Sequence, residues 1–296
     1  MKIIFIGTVE FSFYALERLI SIHSNIIGVL TKKSSDFNSD FKDLTPLCIN
    51  NNIPIKYVED INNIDNIHWI KQLNPDIIFC FGWSSLIKQD LLNIPPKGIV
   101  GFHPAALPNN RGRHPLIWAL VLGLNKSAST FFFMNNDADS GDIISQKEFD
   151  ILYNDDAQSL YTKVIKIALR QIEFFVPQLS NNTYNKIPQN HQIANYWRKR
   201  NQKDGVIDFK MNSYAIYNLV RALRKPYVGA SIYYNDQEVK IWKVKERFDL
   251  LDINNIEFGK VIKVENNNII VKCYDNAIEI IEHEFNTLPK IGEYIR

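Results

Sequence analysis

Short, continuous apolar runs separated by helix-patterned segments constrain this chain more than any other feature. Ile3-Ile4-Phe5-Ile6, Ile26 to Leu30, Ile77-Ile78-Phe79-Cys80-Phe81 and Gly98 to Phe102 show no polar alternation. A strand that is apolar on both faces must be covered on both faces. Between these runs Phe11, Ala15, Leu19 and Ile22 recur at helical spacing, Asp43 to Asn50 reads as a short helix, and Ile67 to Leu73 is amphipathic. Ile55 to Val58 adds a strand. The alternation predicts βαβ units and an α/β, Rossmann-like parallel sheet. Such sheets bind ligands beyond the carboxyl ends of their strands, where the strand order reverses. The polar loops after Ile6, Phe81 and Phe102 are therefore the expected walls of a site.

Further along, Leu116 to Leu122 reads as a helix opened by Pro115, Ser129 to Met134 as a strand and Ser159 to Leu179 as a long amphipathic helix. Ser180 to Asn195 is polar and without period. Ser213 to Leu223 is again helical and is broken by Lys225-Pro226-Tyr227-Val228-Gly229. Ala230 to Tyr234, Glu238 to Val244, Gly259 to Val264, Ile269 to Tyr274 and Ala277 to Ile281 follow as short strands. Such a series suggests a small, mostly β, OB-like fold. The chain is expected to divide into a catalytic domain over 1–185, a linker over 186–208 and a C-terminal β-rich domain over 209–296. Its 296 residues suffice for one large core and one small one.

Net charge is only +2, less than a phosphate-binding surface usually concentrates, so no nucleic-acid partner is expected. The basic clusters Trp197 to Arg200 and Arg221 to Lys225 read as solvated faces. Cys48, Cys80 and Cys273 are odd in number and far apart, which argues against a disulfide framework and against zinc. Reduced thiols point to the cytoplasm. The N-terminal run is too short for a signal peptide, and no stretch approaches the ~20 apolar residues of a membrane span. Neither a metal nor a membrane is expected.

The densest chemistry lies between Gly101 and Asp142. The run Gly-Phe-His-Pro-Ala-Ala-Leu-Pro-Asn-Asn-Arg-Gly-Arg-His-Pro opens it, and Asn-Asp-Ala-Asp-Ser-Gly-Asp closes it. A His at the end of a buried strand and a later acidic turn can form a His–carboxylate pair, which orients the imidazole and accepts a proton. By themselves, a loop His is also compatible with a structural role and the aspartates with turn formation.

The joint pattern resembles the 10-formyltetrahydrofolate-dependent formyltransferases, a family that includes methionyl-tRNA formyltransferase and the nucleotide-sugar N-formyltransferases. His103-Pro104-x-x-Leu107-Pro108-x-x-Arg111-Gly112 and Asp139-Ser140-Gly141-Asp142 carry it, at a His-to-Asp spacing of 139 − 103 = 36. Gly7-Thr8-Val9-Glu10-Phe11, Phe81-Gly82-Trp83, Asp204-Gly205-x-Ile207-Asp208, Arg221-Ala222-Leu223 and Pro226-Tyr227-x-Gly229-Ala230 extend it over most of the chain. The resemblance implies 10-formyltetrahydrofolate as co-substrate and no metal. It implies catalytic roles for His103 and Asp139. Folate would lie against Phe81, Gly82, Trp83, Leu86, Asp137, Gly141 and Asp142. The family carries Asn two residues before its catalytic His, where this chain has Gly101. Such a donor to a developing oxyanion is worth about 3 kcal/mol. His114 is a candidate auxiliary donor, or a residue that packs at the start of the helix after Pro115.

The acceptor is expected to be the primary amine of a nucleotide-linked amino sugar, a surface-glycan precursor. The segment Arg111 to Trp118 resembles the sugar branch, charge balance is low and the second domain is short. Thr8, Glu10, Arg111, Gly112, Arg113, Arg221, Lys225 and Tyr227 are the candidate substrate contacts. Methionyl-tRNA formylation is the alternative. A second alternative is an inactive folate- or nucleotide-binding module, given Gly101. A homodimer is the assembly that the resemblance and the β-rich tail suggest.

Overall fold

A computed structural model describes residues 1–35 and 39–295. Its elements begin with β1 (Ile3–Ile6), α1 (Glu10–Ser21), β2 (Ile26–Thr31), α2 (Thr45–Asn50), β3 (Ile55–Tyr57), α3 (Ile64–Leu73), β4 (Ile77–Cys80) and α4 (Gln89–Leu92). Next come β5 (Ile99–His103), β6 (Arg111–Gly112), α5 (Pro115–Val121), β7 (Lys126–Phe133), β8 (Ile143–Asp150), α6 (Ala157–Asn181), β9 (Tyr196–Trp197) and α7 (Ser213–Ala222). The remainder is β10 (Ala230–Tyr234), β11 (Gln237–Arg247), β12 (Val261–Glu265), β13 (Asn268–Lys272) and β14 (Ala277–His283).

The chain packs into two compact units. The first comprises Met1–Pro115, Lys126–Phe149 and Thr162–Trp197; the second comprises Leu116–Asn125, Asp150–Tyr161 and Arg198–Arg296. Two segments inside the expected catalytic range therefore pack with the second unit, and the contacts explain why. The Arg221 guanidinium takes the carbonyls of Leu152, Tyr153 and Asp155, while Arg200 stacks on Trp118 at 4.6 Å.

In the first unit, seven strands form one sheet in the order β3-β2-β1-β4-β5-β7-β8. Pairing is parallel from β3 through β5, but β7 runs antiparallel to β5, so the sheet is mixed. The apolar runs explain the layering. Ile4, Ile6, Ile78 and Cys80 join an aliphatic cluster that takes in Ile70 of α3. The alternate residues Phe5, Phe79 and Phe81 join Phe131 and Phe175 in an aromatic cluster, with Phe79 and Phe81 stacked at 5.3 Å. Because β1 sits between β2 and β4, the chain leaves it in opposite directions along the sheet. The switch point falls between the carboxyl ends of β1 and β4.

The second unit holds α7 and a five-stranded antiparallel sheet in the order β10-β11-β14-β13-β12. This is the mostly β fold that the short strands predict.

Candidate active site

The carboxyl ends of β1 and β4 are tied together by one hydroxyl. Ser12 Oγ accepts from the backbone N–H groups of Thr8 and Val9 and donates to the Phe81 carbonyl at 2.6 Å. The approach excludes side chains at two positions. A Cβ on Gly7 would lie 2.5 Å from the Phe81 oxygen; one on Gly82, whose φ is +74°, would lie 2.3 Å from Val9 Cγ2. Two buried polar atoms at these strand ends, Thr8 Oγ1 and Trp83 Nε1, have no hydrogen-bond partner among the described residues. Buried polar groups are normally satisfied. Their position at the switch point fits a ligand that brings donors and acceptors of its own.

His103 is the last residue of β5 and is 4 % exposed. Its Nε2 lies 2.7 Å from the Asn110 carbonyl, and its Nδ1 lies 3.5 Å from Asp139 Oδ2. A carbonyl only accepts, so Nε2 is the donor there. In the neutral ring this leaves a lone pair on Nδ1, facing the Asp139 carboxylate. The expected His–carboxylate pair is thus assembled. The same Asp139 Oδ2 accepts the Gly112 N–H at 2.8 Å.

Three consecutive residues position this pair. Asn110 supplies the carbonyl to His103, Gly112 supplies its N–H to Asp139, and Arg111 turns inward between them. Arg111 is 2 % exposed; its Nε and Nη2 reach Gln189 Oε1, Nη1 reaches the Tyr196 hydroxyl, and Nη2 lies 3.2 Å from His191 Nδ1. The segment is itself anchored by β9, which pairs in parallel with β6. Backbone conformations are unusual here: φ is +64° at Asn110, +104° at Gly112, +56° at His114 and +55° at Asp139. Left-handed residues of this kind persist where surrounding contacts hold them.

Several expected contacts sit differently. Arg111, a candidate substrate contact by sequence, instead keeps its guanidinium inside the protein. Arg221 is 5 % exposed and holds Asn218 and three carbonyls, so it lies neither on a solvated face nor free for the expected substrate contact. The ring of Phe81 belongs to the aromatic core, so its carbonyl is the part at the strand end. Thr8 is 1 % exposed. Leu86 is 63 % exposed, and Arg113 Nη1 holds the Ser84 carbonyl of the same loop at 2.6 Å. Trp83 packs on the aliphatic cluster, with Lys32 over its ring at 5.8 Å. Glu10 is half-buried, and its N–H caps onto the Asp40 carbonyl. Asp137 is exposed, and the Asp142 carbonyl accepts from Phe133. A Cβ on Gly141 would lie 1.8 Å from the Phe133 oxygen, so the 139–142 turn sits directly against the end of β7. Lys225 is exposed, with its ammonium 5.4 Å from the Trp242 ring centroid, and Tyr227 is half-buried. His114 stands just before α5.

Gly101 shares its face of β5 with His103. A Cβ there would meet Met134 Cγ at 2.9 Å and the Phe132 ring at 3.1 Å. The space beside Gly101 is filled by Phe132 of β7 and by Met134 just beyond its end.

Asn195 holds this segment too, its Oδ1 accepting the Asn110 N–H at 2.7 Å and its carbonyl the Arg111 N–H at 3.0 Å; like Gln189 and Asn110 it is a single amide in a polar loop and carries no sequence pattern. A separate cleft lined by Lys71, Asn74, Asp90, Asn93 and Ile94 lies at the amino ends of β4 and β5, the opposite end from His103. Among the described residues no His/Cys/Asp/Glu group has the makings of a metal site, and no helix is long and apolar enough to cross a membrane.

A mixed α/β sheet with a buried His–carboxylate pair at its strand ends has the layout of a group-transfer enzyme. Family comparison makes this specific: residues 1–172 match the formyl transferase model and residues 199–291 the formyl transferase C-terminal domain. The chain belongs to the formyl transferase family. It is 30% identical over 303 residues to methionyl-tRNA formyltransferase of Clostridioides difficile, covering 100% of this chain and 96% of the relative. It is 31% identical over 287 residues to the bifunctional polymyxin resistance protein ArnA of Wigglesworthia glossinidia brevipalpis, covering 96% of this chain but only 43% of that relative's length. Among solved structures, the N-formyltransferase of Helicobacter canadensis in complex with folinic acid and dTDP-3-aminofucose superposes with a TM-score of 0.73 at 22% identity, covering 96% of this chain and 100% of that one.

Proposed function

We propose that this protein transfers a formyl group from 10-formyltetrahydrofolate to the primary amine of a nucleotide-linked amino sugar. The observation that carries the reading is the His103–Asp139 pair: Nδ1 and Oδ2 stand 3.5 Å apart at a strand end beside the switch point. 10-Formyltetrahydrofolate supplies the activated formyl carbon. Asp139, whose side chain is 18% exposed against 6% for His103, is the member open to an incoming amine. It accepts the proton that the attacking nitrogen must lose, shares it with His103 Nδ1 and returns it to the departing nitrogen. With both ring nitrogens engaged, what the protonated imidazole offers the developing oxyanion is its positive charge. With Gly101 supplying no side chain, His103 carries that stabilisation. Thr8 Oγ1 and Trp83 Nε1 are the groups of this chain best suited to hold the donor's polar ring.

The sugar acceptor is favoured over tRNA by how the basic clusters are used. Arg198 forms a bidentate pair with Asp204 and stacks on Trp118. Arg200 donates to the Asp204 carbonyl, Arg221 is internal, and Arg224 pairs with Asp156 and Glu282. Guanidinium groups held this way are poorly placed to neutralise a phosphate backbone. The relatedness to methionyl-tRNA formyltransferase makes aminoacyl-tRNA the second acceptor to test. Incubation with 10-formyltetrahydrofolate and either dTDP-3-aminofucose or methionyl-tRNA, read by mass spectrometry, separates the two. Formylation of the tRNA alone would refute the sugar reading.

A further inference from the structure

We infer that Gln189 is a positioning residue, which holds the Asp139 turn in the geometry that His103 requires. The inference rests on the catalytic reading of that pair. Gln189 is 6 % exposed, and both ends of its amide are saturated. Nε2 donates to the carbonyls of Asp139, at 2.9 Å, and Gly141, at 2.6 Å. Oε1 accepts from Nε and Nη2 of Arg111, at 3.2 and 2.7 Å. Two donors and two lone pairs are the full capacity of a carboxamide.

The turn needs such a clamp. Asp139 sits at φ +55°, a conformation that costs a non-glycine residue free energy unless neighbours impose it. On one side the turn is stopped by β7, since Gly141 has no room for a Cβ against the Phe133 oxygen. On the other side Gln189 grips the carbonyls either side of Ser140. Gln189 is fixed in turn. Two residues earlier, Ile187 exchanges both backbone hydrogen bonds with Ile143 at 2.9 Å. The far end of its amide is held by Arg111, whose neighbours Asn110 and Gly112 bind His103 and Asp139 directly. One amide therefore links the strand carrying the His contacts to the turn carrying the acid. Glutamate could not replace it, because a second oxygen would face two carbonyls. Leucine matches its size but supplies neither half of the clamp.

The test is a double-mutant cycle of Gln189→Leu with Asp139→Asn, using 10-formyltetrahydrofolate and dTDP-3-aminofucose. Q189L alone is expected to lower kcat by about 10- to 100-fold, the cost of a small misplacement of a reacting group, with little change in either KM. On the D139N background it should cost nothing more, since it acts through that carboxylate. A second readout needs no substrate: the amide resonance of Gly112, which donates to Asp139, should shift in Q189L. Should Q189L fail to fold, Arg111→Lys, which keeps the cation but breaks the fork, is measured in its place and should give the same pattern. Unchanged kcat, multiplicative losses in the cycle, or an unmoved Gly112 resonance would each overturn the inference. Normal turnover in D139N alone would instead remove the catalytic reading, and the Gly112 resonance would then judge the clamp by itself.

Discussion

The backbone N–H of Gly112 donates to Oδ2 of Asp139 at 2.8 Å, the same oxygen that faces His103. A glycine in a two-residue strand thus fixes the orientation of the site's carboxylate. Its φ of +104° and the Trp197 oxygen lying 2.3 Å from any added Cβ leave no other residue for that place. Gly112→Ala should lower stability by roughly 2 kcal/mol or more and reduce turnover at temperatures where it remains folded. Thermal unfolding followed by kinetics at low temperature measures both.

Gly101→Asn, which restores the residue the family carries there, should not raise activity. The added side chain collides with Met134 and Phe132, and overpacking of this kind costs about 1–3 kcal/mol. Pairing it with Met134→Ala should recover part of the lost Tm. An increase in kcat from Gly101→Asn alone would show that the missing amide, not His103, limits oxyanion stabilisation.

What the sequence disclosed follows from the physics of each element. The buried strands β1, β2, β4 and β5 are unbroken apolar runs, so their pattern is loud. β8 carries no legible period, because its residues mix buried and exposed positions irregularly, as an outer strand allows. β6 and β9 are two residues each, too short for any period. His103 and Asp139 were legible from spacing. Arg111 was legible as a position but not as a direction, because only the fold shows that its guanidinium points at Gln189. The segment read as a linker from 186 to 208 holds Gln189 and β9, whose roles depend on what they touch rather than on composition.

Arg221 should behave as a structural residue. Arg221→Ala strands the carbonyls of Leu152, Tyr153 and Asp155 and should destabilise the fold by about 2–4 kcal/mol. The KM for the nucleotide sugar, measured on the folded fraction, should stay unchanged. A large rise in KM without a loss of Tm would restore Arg221 as a substrate contact.

Burial pushes the thiols of Cys80 and Cys273 up to about 12 and that of Cys48 up to about 11, from an ordinary 9.0. Burial, and then the bond to Glu246, also raises the Tyr153 phenol. Each folded value lies above its unfolded one, so the native state keeps these protons longer. Their stabilisation is complete below about pH 9 and is lost as pH rises above it. Denaturant midpoints should therefore fall between about pH 9 and 11, and iodoacetamide at pH 8 should label the cysteines only after unfolding. Rapid labelling of the native protein would contradict the burial.

The most direct measurement of the central claim is the mass of dTDP-3-aminofucose after incubation with 10-formyltetrahydrofolate and either the unmutated protein or Asp139→Asn. The account predicts a gain of one formyl group with the unmutated protein, and a rate lower by about two to four orders of magnitude with the variant, at an unchanged Tm. Equal formylation by both proteins would contradict it.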